Sequence, residues 1–125
     1  MEKSVRTICI VIGFLIAGCH VKYTPVALET DTPKPMWRLT EKVDIRLESG
    51  STTHLNPDTT WDYVGTIEQG EVYKTKDQIV TIKGANMFEA YIVLSEDCIV
   101  GFYLPVEKGF TRISKPVEIK RKVVN

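Results

Sequence analysis

The sequence predicts a small all-β domain, and three observations lead to that fold class. Apolar and polar residues alternate in short runs, as in half-buried strands, and residues 43–47 (Val-Asp-Ile-Arg-Leu) are the first such run. Turn-forming residues separate the runs, for example at positions 49–51 and 56–58. No segment repeats its apolar residues at the spacing of an amphipathic helix. We therefore expect a small barrel or sandwich of about 5–7 short antiparallel strands.

The strands that follow the first run are recognised by β-branched and aromatic residues between turn signals. The runs at residues 88–94 and 98–104 are the strongest, and residues 95–97 between them have the length of a hairpin loop. The later strands are predicted at residues 61–67, 71–75, 78–83, 88–94, 98–104, 110–113 and 117–124. Together they place one all-β domain at residues 43–125.

Three short motifs in this domain resemble bacterial SH3-like (SH3b) domains. Residues 43–46 followed by Ser-Gly-Ser at 49–51 are similar to the opening strand and loop of that family. Residues 64–67 and 70–72 resemble its second and third strands, and Val-Gly-Phe-Tyr-Leu-Pro at 100–105 resembles its closing strand. The resemblance covers residues 43 to about 113 and implies an SH3-like barrel. We transfer only the fold, because the loop between Gly50 and Trp61 is long and the strand at 117–124 lies outside the usual barrel.

The N-terminus has the pattern of an export signal. Lys3 and Arg6 precede an apolar run at 7–16, which is shorter than the about 20 residues that a transmembrane helix needs. Small residues and Cys19 follow, and residues 15–19 (Leu-Ile-Ala-Gly-Cys) resemble the lipobox of bacterial lipoproteins. That resemblance implies a signal peptide at residues 1–18 and a lipid on Cys19 that anchors the protein to a membrane. Residue 20 is His rather than Asp, which by the same resemblance implies the outer membrane of a diderm host, on its periplasmic face.

Residues 19–42 are predicted to be the lipidated cysteine and a flexible tether. Three prolines, Pro25, Pro33 and Pro35, and several polar turn formers disfavour regular structure there. The apolar residues Met36, Trp37 and Leu39 at the end of this segment are expected to dock on the domain that follows, with a partner-binding motif as the alternative.

Catalysis is not expected from this composition. His54 and Cys98 could form a catalytic dyad, but Cys98 begins an apolar strand, where a small buried side chain is the better interpretation. The sequence has no clustered metal-ligand spacing and no phosphate-binding loop, so we expect neither a metal nor another cofactor. The formal net charge of zero argues against nucleic-acid binding, which needs a basic surface.

Binding is the function class that remains. SH3-like barrels bind extended peptides or glycans along aromatic side chains, and Trp61, Tyr63 and Tyr103 are the candidate partner-binding residues. Tyr63 and Tyr103 are expected to face solvent, since a tyrosine hydroxyl tolerates a wet rim. The first hypothesis is a membrane-anchored, non-catalytic envelope module that binds a protein or peptidoglycan. The alternative is an exclusion or shielding lipoprotein encoded by a mobile element, or an inhibitor of an envelope hydrolase.

Overall fold

A computed structural model describes residues 21–30, 32–84 and 86–124. Within these ranges the chain forms strands and turns and no helix, which confirms the prediction of an all-β fold. The predicted signal peptide at 1–18 and the lipidation site Cys19 lie outside the described residues.

The described residues form twelve strands, and nearly all of the predicted runs are recovered among them. They are β1 Thr24–Pro25, β2 Trp37–Leu39, β3 Val43–Arg46, β4 Thr52–Leu55, β5 Thr60–Ile67, β6 Gly70–Thr75, β7 Thr81–Lys83, β8 Met87–Glu89, β9 Tyr91–Ser95, β10 Cys98–Leu104, β11 Gly109–Glu118 and β12 Arg121–Val123.

Eight of these strands form one antiparallel sheet in the order β1-β11-β10-β9-β6-β5-β2-β12. The pairs β3–β4 and β7–β8 are separate hairpins. Only Ile119 and Lys120 separate β11 from β12, yet these two strands lie near opposite ends of the sheet. The sheet therefore curves strongly, although its hydrogen-bonded order has two ends and is open. This small antiparallel architecture is compatible with an SH3-like fold.

Apolar side chains are buried on both faces of the curved sheet. The larger core includes Trp61, Ile92 and Phe102 from the sheet, and side chains of both hairpins, such as Ile45 and Ile82, cover it. The second, smaller core lies on the opposite face and consists of Ile67, Val72, Val93, Tyr103 and Phe110. Val26 and Leu28 from the N-terminal segment pack against this second core.

The described part of the predicted tether, residues 21–30 and 32–42, is not a free linker in the structure. Trp37 and Leu39 are buried in β2, which pairs with β5 on one side and with β12 on the other, so their expected docking is confirmed. Met36, expected to dock with them, is instead 42% exposed. Earlier in the segment, Thr24 and Pro25 pair with β11. The boundary at residue 43 was therefore placed too late. The prolines in this segment predicted irregular structure. Pro is nevertheless tolerated in an edge strand, and Pro25 lies in the edge strand β1.

Candidate functional site

The three aromatic residues predicted to bind a partner occupy different places. Trp61 is fully buried and stacks on Trp37 with 5.8 Å between ring centroids. Tyr63 is half-buried, and its hydroxyl oxygen lies 2.5 Å from that of Thr66. Tyr103 is buried in the second core. The structure does not bring these three rings together on an open surface.

The expectation that Tyr103 faces solvent is wrong. Strand alternation correctly separates Tyr103 from Phe102 and Leu104, which belong to the larger core. The opposite face is not exposed, however, because the N-terminal segment covers it. Since a buried ring cannot line an open groove, Tyr103 and Trp61 do not enter the site described below.

An irregularity between β10 and β11 opens a groove that the sequence did not reveal. Ile99 pairs with Val117, whereas the next paired residue on β10, Gly101, lies opposite Arg112. Towards β9, Val100 is the extra residue of a bulge in β10, because Ile99 pairs with Leu94 and Gly101 with Val93. Towards β11, Val100 stands opposite residues 113–116, which leave the ladder. Ile113 instead forms a bridge with Leu47, next to the β3–β4 hairpin. Bulges of this kind bend a strand and redirect its side chains.

We call the resulting depression the β11 groove, and it has a volume of about 380 Å³. Its apolar floor includes Phe110 and Ile113, which are both buried. Polar side chains and Pro116 form its rim. The complete lining is Gln69, Ser95, Val100, Phe110, Arg112, Ile113, Ser114 and Pro116.

Gln69 gives the β11 groove a polar group without a partner. Its Oε1 atom is buried and accepts no hydrogen bond from any described residue. Leaving a buried acceptor unpaired costs about 1–3 kcal/mol, and Gln69 also belongs to the lining of the groove. A second hollow, of about 480 Å³, also contains Gln69, Phe110 and Arg112 in its lining and extends the groove towards Tyr23.

Asp44 and His54, on the two strands of the β3–β4 hairpin, contact each other. His54 Nδ1 lies 2.6 Å from Asp44 Oδ1, and this hydrogen bond is the main cause that lowers the pKa of Asp44. Both side chains are exposed. Cys98, at the start of β10, is half-buried. In the described ranges no three His, Cys, Asp or Glu side chains are grouped closely enough to hold a metal ion.

Comparison with known protein families, with curated proteins and with solved structures finds no match for this chain. None of the described residues forms a helix long and apolar enough to cross a membrane.

Proposed function

We propose that this protein is a lipid-anchored, non-catalytic binding module of the bacterial envelope, which holds an extended segment of a partner protein in the β11 groove. The observation that carries the binding part of the proposal is the groove itself, because it combines an apolar floor with the buried, unpartnered Oε1 of Gln69. The anchor part is carried by the lipobox-like sequence that ends at Cys19.

The shape of the groove favours an extended chain as the ligand. It lies where β11 separates from β10, so backbone groups in residues 113–116 are outside the β10–β11 ladder. An extended peptide presents N–H groups and alternating side chains, which suit an unpaired acceptor beside a row of apolar contacts. The floor residues Phe110 and Ile113 supply that apolar surface.

We also propose that the domain has an SH3-like fold. The motifs that resemble SH3-like domains lie on β3, on β5 and β6, and on β10. The motifs on β5, β6 and β10 lie in the curved antiparallel sheet, and the motif on β3 lies in the separate β3–β4 hairpin. Their order along the chain supports an SH3-like domain, to which the N-terminal segment and β12 are additions. His20, directly after Cys19, favours the outer membrane, facing the periplasm, as the location of the anchored protein.

The anchor is tested by comparing the wild type with Cys19→Ala in a diderm host. We expect the wild type in the membrane fraction, with a mass increased by acyl chains, and the variant without either property. A variant that stays in the membrane pellet with the mass of the wild type would show that Cys19 carries no lipid.

The binding site is tested by photo-crosslinking in intact cells. A benzophenone amino acid at Ser114, on the rim of the groove, should form adducts with one or a few envelope proteins. The same probe at Val106, which is also exposed but does not line the groove, is the matched control. Equal adducts from both positions would contradict a site in the groove, and retention on purified sacculi, lost in Ser114→Arg, would assign it to peptidoglycan instead.

A further inference from the structure

The folded domain begins almost directly after the proposed lipid attachment site. Val21 is buried, and its side chain covers Gly84, where an added Cβ would lie 2.7 Å from Val21 Cγ2. Two residues later, the ring of Tyr23 lies against Gly109 so closely that a Cβ there would overlap it. The chain is thus fixed on the domain from its first described residue onward.

This attachment limits how far the domain can be from the membrane. Only His20 separates Val21 from Cys19, and two consecutive peptide units span at most about 7 Å between the outer Cα atoms. A flexible tether of roughly 20 residues would have allowed an end-to-end distance of about 25 Å. With a lipid on Cys19, the surface around Val21 must therefore lie at the level of the lipid headgroups.

The surface next to Val21 has the composition of a membrane interface. Lys83 pairs with Met87 at the end of the β7–β8 hairpin, adjacent to Gly84. Met87 is 60% exposed and Tyr23 is 43% exposed, although both side chains are largely apolar. Lys22 and Lys83 are exposed and supply positive charge. Glu48 lies in the same hollow as Lys22 and Tyr23, but its carboxylate pairs with Arg112 at 3.3 Å.

We propose that Lys22, Tyr23, Lys83 and Met87 form a surface that contacts the bilayer, so that the domain sits on the membrane in one orientation. This proposal rests on the lipid anchor at Cys19 proposed above. The Met87 and Tyr23 side chains enter the interfacial region, and the two lysines meet anionic phosphate headgroups. The consequence for function is that the hollow which extends the β11 groove opens beside the membrane, since Lys22 and Tyr23 belong to its lining.

The experiment uses the full-length protein purified from membranes and reconstituted in vesicles of phosphatidylethanolamine and phosphatidylglycerol. Mass spectrometry first establishes the lipid on Cys19, and its absence would disprove the anchor rather than the surface. An environment-sensitive fluorophore is then attached to Met87→Cys or to Lys83→Cys, in a Cys98→Ala background. Ile79→Cys is the matched control, because Ile79 is 88% exposed and lies just before β7, at the other end of the same hairpin.

Nitroxide-labelled lipid should quench most of the fluorescence at positions 87 and 83, whereas iodide in the water should quench mainly at position 79. The extra variant Lys83→Glu, combined with the label at Met87→Cys, should weaken the quenching by lipid. If the lipidated protein shows the same quenching by iodide at positions 79, 83 and 87, the domain does not rest on this surface and the proposal is wrong.

Discussion

The indole rings of Trp37 and Trp61 stack with their centroids 5.8 Å apart and with 16° between their planes. Trp37 lies on the short strand β2, within the segment whose sequence predicted a tether, and Trp61 lies on the neighbouring strand β5. The edge of Trp37 also meets Tyr73 on β6, with 5.3 Å between centroids. The guanidinium carbon of Arg121, on β12, lies 5.4 Å from the centroid of Trp37. One residue thus connects four strands.

Replacing Trp37 should therefore destabilise the whole domain. Trp37→Ala leaves a cavity beside Trp61 and Tyr73, and truncation of a buried aromatic side chain costs about 3–5 kcal/mol. The free energy of unfolding, measured in urea, is the readout. Met36→Ala is the control, because the neighbouring Met36 is 42% exposed and should change stability little. Equal, small effects of both changes would mean that β2 is not part of the folded unit.

Tyr103 is expected to be structural rather than a surface residue. Its ring lies in the second core, with its centroid 6.4 Å from that of Tyr91. Tyr103→Ala should lower the free energy of unfolding by about 3 kcal/mol through the cavity that it leaves. Val106→Ala, at a position that is 74% exposed, should be nearly neutral. The measurement is the midpoint of thermal unfolding of both variants. An unchanged midpoint in Tyr103→Ala would mean that Val26 and Leu28 do not cover this face.

Gly101 is expected to tolerate no side chain. An added Cβ would overlap the carbonyl oxygen of Thr111 and the ring of Phe110, both on the adjacent strand β11. Because a backbone oxygen cannot move away as a flexible side chain can, Gly101→Ala should cost about 1–3 kcal/mol. Ser114→Ala, at an exposed position of the same strand β11, is the control. Wild-type stability of Gly101→Ala in urea would show that the two strands are farther apart at the bulge.

Tyr73 should make the domain sensitive to alkaline pH. Burial, followed by the hydrogen bond that its hydroxyl donates to Glu71, raises the pKa of Tyr73 to about 12. The folded state then holds this proton more tightly than the unfolded state, whose tyrosine pKa is about 10. The resulting stabilisation is complete below about pH 10 and is lost as the pH rises towards about 12.

The measurement for Tyr73 is the urea midpoint at a series of pH values between 9 and 12 (roughly the range set by the two pKa values). The wild type should lose more stability across this range than Tyr73→Phe, in which no phenol titrates at that position. Parallel curves for the two proteins would indicate that the Tyr73 hydroxyl has the same pKa in both states.

The sequence by itself determined the fold class and the positions of most strands. Alternation in residues 43–47 and 98–104, with turn residues between the runs, is a local property, because each strand must present one apolar side to a core. For the same reason the apolar residues Trp37 and Leu39 could be expected to dock. The lipobox-like residues 15–19 likewise support the anchor from sequence alone.

The tertiary structure alone decided which faces are covered and where a groove opens. Tyr103 was expected to be exposed, and only the position of Val26 and Leu28 on the second face shows why it is buried. The β11 groove depends on a register shift between Ile99 and Gly101, which sets the single residue Val100 of β10 against four residues of β11. Strand pairing between segments distant in sequence depends on long-range packing, and no local pattern of apolar and polar residues encodes it.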